Sequence, residues 1–334
     1  MRHIDILLPF GLPAPEFARD LLRELRAPSL ATLLARASPP VRHAYDPFAR
    51  SLPHEAWLAA QLGLNAGSDT DTSPALAVSR MRSLGLSAAE GVWFALQPVH
   101  IHIARDQLML ADSRTIPLSE SESRALFDTA LPLFQYAGKE LLYGDASNWF
   151  VRADDWRALQ TATPDAASGR NLDIWMPKGE GERDWRKLQN EVHLEWHEHP
   201  VNATRAEQRL PPVNSLWLWG PAEAANKYSA AIAPQVATNG YTLGSHLTNP
   251  PNPSILVLDH LSEAALAEDW GSWLAGMQML EQDWFAPLLE ALRGGRIDTV
   301  RLALGHNAQV REFSISKRAL LKFWSKPSLA RLAP

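Results

Sequence analysis

Cysteine is absent from this 334-residue chain. That excludes disulfides, a thiolate nucleophile and thiolate-bound zinc, so any metal would have to be held by His, Asp or Glu. A run of about 18 apolar residues is also missing, which leaves no candidate transmembrane helix. Clustered positive charge is lacking: the net charge is -5 and no run of Lys and Arg exceeds two residues, a balance that favours neither nucleic acid nor an anionic membrane surface. The opening Met-Arg-His-Ile-Asp-Ile-Leu-Leu-Pro-Phe is interrupted by Asp5 and Pro9 and has no small-residue cleavage site, so it reads as a strand and not as a signal peptide. Internal repeats and low-complexity segments are not evident. These absences predict a soluble, cytoplasmic protein without nucleic-acid or membrane partners.

What is present is an ordinary core former. The chain is 46% hydrophobic and long enough for two modest domains or one large α/β domain carrying an insertion. Short apolar runs at 4–10, 215–219, 254–258 and 299–304 suit buried strands. Leu at helical spacing between 16 and 37, broken by Pro28, predicts two helices. Residues 54–64, 74–84, 182–197 and 316–324 read as helical, and 263–292 as a long helix or a helix pair ending at Gly294-Gly295. Ser119-x-x-Glu122 is a capping box heading a helix to about Phe134. Residues 91–103 and 107–111 read as strands about a turn at Arg105-Asp106, and Asn249 to Pro253 as a breaker. Strands alternating with helices predict a layered α/β fold. Trp is abundant, at 13 residues, seven of them from Trp149 to Trp219; such density favours interior packing over a ligand cage.

The most distinctive segment is His199-Pro-Val-Asn202-Ala-Thr-Arg205, followed by Val213-Asn-Ser-Leu-Trp217-Leu-Trp219-Gly220. It resembles a segment of the archaeal-type, cofactor-independent phosphoglycerate mutases, which read roughly His-Pro-Val-Asn-x-x-Arg and then Ala-Asn-x-Ile-Trp-Leu-Trp-Gly. Pro28 to Ala35 and Ser79 to Phe94 are similar, more weakly and in the same order, to other blocks of that family. The resemblance implies the alkaline-phosphatase superfamily, with an α/β core of a mostly parallel sheet flanked by helices. Residues 1–90 and 200–334 would form that core, and 91–199 an inserted α+β lobe. The pattern also resembles the bacterial RpfE-type regulatory proteins.

Phosphoryl transfer in such a superfamily needs two divalent cations, a set of Asp and His ligands and a Ser or Thr nucleophile. Matched block by block, this chain departs from that inventory. The first strand ends Leu7-Leu8-Pro9-Phe10-Gly11 where the family has Leu-Asp-Gly. His54 falls where the nucleophilic Ser is expected. Gly67-Ser68-Asp69-Thr70 imitates the nucleophile tetrapeptide but lies in a polar stretch that reads as a solvated turn. Glu263 and Ala267 replace an Asp and a His, with Asp259 and His260 near enough to be a displaced metal-binding pair. Of the last Ala-Asp-His only His306 is kept, in Leu304-Gly305-His306 after a strand, the place where α/β proteins bind ligands. His193, His197 and His199 lie close together, but the Glu that a zincin helix places after its first His is Leu194.

Asn202 and Arg205 match the family's Asn-x-x-Arg and, with His306, are the candidate ligand contacts: Arg presents a planar fork to phosphate or carboxylate. In a second reading the same segment is architectural, with Asn202 capping the following helix. The function expected from the resemblance is a degenerate mutase homologue that regulates, or binds a phosphorylated or carboxylated metabolite, without a cofactor. One alternative is a working Mn- or Zn-dependent mutase or phosphatase with displaced ligands. Another is a structural protein that engages a protein partner through its Trp-rich surface.

Overall fold

The structure, a computed structural model, describes all residues except 1, 65–70, 105, 226–232, 237–242, 249–253 and 323. The Gly67 to Thr70 tetrapeptide, Arg105 and the Asn249 to Pro253 breaker therefore lie outside the described residues. The strands that are described are β1 (His3–Leu8), β2 (Val41–Ala44), β3 (Val92–Val99), β4 (Ile101–Ala104), β5 (Gln107–Leu110), β6 (Glu140–Asp145), β7 (Asn148–Arg152), β8 (Ser215–Glu223), β9 (Ala233–Val236), β10 (Ser254–Val257), β11 (Thr299–His306) and β12 (Gln309–Ser316). The chain divides into two compact units, Met1–Pro47 with Ser229–Pro334, and Phe48–Tyr228. No helix among the described residues is long and apolar enough to cross a membrane.

The first unit is built on a six-stranded sheet of order β2-β12-β11-β1-β10-β9. Strand β1 runs parallel to both neighbours, with Ile6 opposite Leu256 of β10 and Leu302 of β11. Leu7 and Leu8 are wholly inaccessible, as a parallel strand covered on both faces requires. The sheet is mixed rather than mostly parallel, because β12 folds back on β11 as a hairpin and β2 adds antiparallel to β12. The break expected at Pro28 is real: helix Ala18–Glu24 stops and Pro28 opens helix Pro28–Arg36. Buried Glu281 accepts the free N–H groups of Ser29 (2.6 Å) and Leu30 (3.0 Å) at that helix start, where exposed donors and the helix dipole both favour a carboxylate. The 263–292 region holds helices Ser262–Leu266, Trp270–Leu280 and Ala286–Arg293, the last two joined by a π turn at Glu281–Phe285.

The second unit is α+β. Its sheet, β6-β7-β3-β8, is antiparallel throughout. Helices Glu120–Tyr136 and Glu182–His197 lay Phe127, Phe134, Trp185 and Trp196 on the face that carries Phe94, Trp149 and Leu218. The rings meet edge to face, Phe127 on Trp149 at 5.1 Å and 87°, Trp149 on Trp196 at 5.8 Å and 84°, the geometry that ring quadrupoles prefer. All seven tryptophans from Trp149 to Trp219 are buried. A partner-binding surface made of them is therefore ruled out; they fill the interior because each removes a large apolar area from water.

Candidate functional site

In open α/β sheets ligands meet the carboxyl ends of the parallel strands, and in the first unit these ends carry several of the candidate residues. At the end of β1 the chain turns through Phe10, buried at φ 54°. Its carbonyl accepts the Trp273 indole N–H at 2.9 Å, and Leu12 N–H reaches the Gly305 carbonyl at 3.0 Å. A Cβ on Gly11 would stand 2.7 Å from Leu8 Cδ2 and 3.2 Å from Leu304 Cδ2, so a carboxylate-bearing residue does not fit there without displacing Leu8. The carboxylate that β1 does have, Asp5, lies mid-strand and takes both Nε (2.7 Å) and Nη2 (2.9 Å) of Arg301. Burial alone would raise its pKa, but hydrogen bonds from His3 and Arg301 prevail and hold it below the usual carboxylate value.

After β10, on one side of β1, come Asp259 and His260. Asp259 is exposed and accepts the Ser262 hydroxyl, and His260 Nδ1 is buried without a hydrogen-bond partner. Glu263 is exposed in the first turn of Ser262–Leu266. On the other side of β1, His306 ends β11, half-buried; desolvation lowers its pKa against the opposing pull of Glu16, with Arg311 adding to the depression. Asp259, His260 and His306 thus share one edge of one sheet. Among the described residues no group of three or more His, Asp or Glu is arranged to hold a metal ion.

The other candidates belong to the second unit. His54 is buried in the first turn of helix Pro53–Gln61. Its neighbour Glu55, which the sequence reading passed over, accepts both the Leu52 N–H (2.7 Å) and the Thr163 hydroxyl (2.6 Å) on the same oxygen, Oε2. Burial, then the charge of Asp165, pushes Glu55 up to about 8. The local signal was a capping-box Glu three residues after Leu52; Thr163 had no signal, since it approaches only through the fold.

Asn202 and Arg205 lie inside helix Pro200–Glu207, both buried. The helix is capped by His199, whose Nδ1 accepts the Val201 N–H at 3.2 Å, not by Asn202 as the architectural reading had it. Asn202 instead donates to the carbonyls of Trp196 (2.8 Å) and Val213 (2.9 Å) and accepts the Val213 N–H (2.9 Å). Arg205 donates to the carbonyls of Pro211 (2.8 Å) and Pro117 (2.9 Å) and to Glu122 Oε1 (3.0 Å). Its Nη2 is buried with no hydrogen-bond partner. These bonds fix the loop that feeds β8.

No family model matches the chain. Over 159 residues, 46% of its length, it is 27% identical to a probable 2,3-bisphosphoglycerate-independent phosphoglycerate mutase of Geobacter sulfurreducens, and it covers 38% of that protein. The chain is similar to phosphoglycerate mutases. In fold it matches the PH0037 protein of Pyrococcus horikoshii, with a TM-score of 0.52 at 11% identity over 94% of this chain and 87% of that one. A cofactor-independent phosphoglycerate mutase of Thermoplasma acidophilum aligns with a TM-score of 0.43 at 14% identity, covering 100% of this chain and 95% of the mutase chain.

Proposed function

We propose that this chain is a phosphoglycerate-mutase homologue of the alkaline-phosphatase type that has given up two-metal phosphoryl transfer and acts as a regulatory protein, holding a phosphorylated or carboxylated metabolite. The observation that carries this reading is the end of β1. Where a metal-binding carboxylate is needed, the chain places Pro9 and a buried Phe10, and the adjoining Gly11 has no room for a side chain. Losing a ligand at such a position undoes the stabilisation of both attacking and leaving oxygens on which two-metal transfer depends. His306, kept at the same edge and neutral at pH 7 because burial disfavours its cation, suits hydrogen bonding to a ligand better than charge pairing. A regulatory role fits the resemblance to RpfE-type proteins.

A second reading has one observation in its favour: Asp259 and His260 stand side by side after β10, with His260 Nδ1 unpartnered. They would be displaced ligands of Mn²⁺ or Zn²⁺ in a working mutase or phosphatase. Metal analysis of the purified protein after incubation with Mn²⁺ and Zn²⁺, together with a phosphoglycerate interconversion assay followed by NMR, separates the two. The degenerate reading expects no stoichiometric metal, no interconversion, and a rise in melting temperature with 3-phosphoglycerate that is lost in His306→Ala. Two bound ions with turnover would sink it.

A further inference from the structure

The second unit contains a cleft of about 450 Å³ that nothing above uses. One wall is the β4–β5 hairpin. Ile103 and Leu108 are cross-strand partners on it, 75% and 45% exposed, large apolar side chains that a soluble surface has no reason to display together. Leu172 and Met176 continue this apolar wall. The opposite wall is helix Glu182–His197, which turns Arg186, Asn190 and His193 into the cleft; spacings of four, three and seven put them on one helix face.

Both walls are held in place. The Asn214 side chain binds Ile101 like a strand, accepting its N–H and donating to its carbonyl, each at 2.8 Å. The Asn214 carbonyl in turn meets His193 Nδ1 at 2.8 Å. Accepting that proton fixes the His193 tautomer and leaves Nε2 as the nitrogen available to a ligand. Backbone bridges from Met109 to Asn171 and from Leu110 to Ser168 brace the hairpin from the other side. The cleft is therefore a built feature with an apolar side, a polar side and, among the described residues that line it, one cation, Arg186. Glu182 pairs with Arg186 at Nη2, 3.1 Å away, and a guanidinium has five donors in a fork matched to carboxylate. Among the described residues of the lining the one carboxylate, Asp173, comes from the segment that supplies the apolar wall and not from the helix that carries Arg186.

We propose that this cleft binds a small amphipathic carboxylic acid, its hydrocarbon part on Ile103, Leu108, Leu172 and Met176 and its carboxylate on Arg186 and Asn190. Pockets of this size with an apolar lining and a few convergent polar groups are the usual form of a small-molecule site. The site lies within the second unit and does not depend on the metabolite reading of the first.

Calorimetric titration of the full chain with octanoate, 1-octanol and octylamine tests it. Octanoate is expected to bind at least about tenfold more tightly than octanol, and octylamine not measurably. Arg186→Ala should bring octanoate down to the level of octanol without affecting octanol, and Ile103→Ser should weaken both. Arg186 is 49% exposed and Ile103 75% exposed, so both variants are expected to fold, with circular dichroism as the check. The proposal is overturned if octanoate does not bind the wild-type chain, if octylamine binds as well, or if either variant leaves octanoate affinity unchanged.

Discussion

Arg205, wholly buried, donates to Glu122 Oε1 at 3.0 Å, while the other oxygen of the same carboxylate accepts the Ser119 N–H at 2.8 Å and closes the cap of helix Glu120–Tyr136. One carboxylate thus fastens the N-terminus of one helix to the interior of another. The paired charge and hydrogen bonds hold Glu122 below the usual carboxylate value against a desolvation that would raise it.

Arg205→Ala should therefore cost about 2–4 kcal/mol, because it strips a half-buried carboxylate and two carbonyls of a wholly buried donor. Arg205→Lys should recover only part, since an ammonium cannot reproduce the fork. Urea unfolding of both variants checks this; a loss under about 1 kcal/mol for the alanine variant would contradict the tie.

Glu55 predicts a pH dependence. Its folded pKa, about 8, stands above the ordinary 4.5, so the folded state keeps a proton that the unfolded state releases. Stability attributable to this group is full below pH 4.5 and declines by a few kcal/mol as pH rises through 8. In Glu55→Gln the amide oxygen can still accept from Leu52 and Thr163, and the decline should vanish. Unfolding midpoints at pH 5 and pH 8.5 should differ less in the variant than in the wild type.

His306 works in the opposite direction. Burial depresses its pKa below 6.5, so its contribution is present above that value and lost as pH falls through the depressed folded pKa. A histidine NMR titration should place the His306 midpoint below 6.5, and an anionic ligand bound against the ring should raise it.

Arg209 is exposed and left-handed, at φ 59°, where helix Pro200–Glu207 ends. Glycine takes this conformation without Cβ strain. Arg209→Gly should stabilise the protein by about 0.5–1 kcal/mol in chemical denaturation; an unchanged or lower midpoint would show that the strain is relieved elsewhere.

Local rules made much of the fold readable. The Ser119 and Glu122 cap, the Pro28 break and the helix Glu182–His197 each depend on residues a turn or two apart, so their sequence spacing carries the structure. Strands β2 and β12 were missed for the converse reason: β12 is a strand because β11 offers an edge, its own alternation being interrupted by the buried Arg311, and β2 is a strand because β12 offers the next edge. Asn202 was expected to cap a helix, but His199, one residue before Pro200, was better placed to take the first free N–H. Among the candidate residues, His306 was singled out by its match to the last block of the mutase pattern, after an apolar run. The pairing of Glu55 with Thr163 spans 108 residues, and nothing in either neighbourhood announces it.

The place of β1 in its sheet has a consequence for biosynthesis. It pairs on one side with residues 254–257 and on the other with 299–306, so on the ribosome its apolar Ile4, Ile6, Leu7 and Leu8 wait for partners while the intervening residues are made, roughly tens of seconds at ordinary elongation rates. The Phe48–Tyr228 unit is continuous in sequence and can close during that interval. A nascent chain arrested once residue 228 has cleared the ribosome should therefore hold one protease-resistant body behind a β1 still open to chaperones.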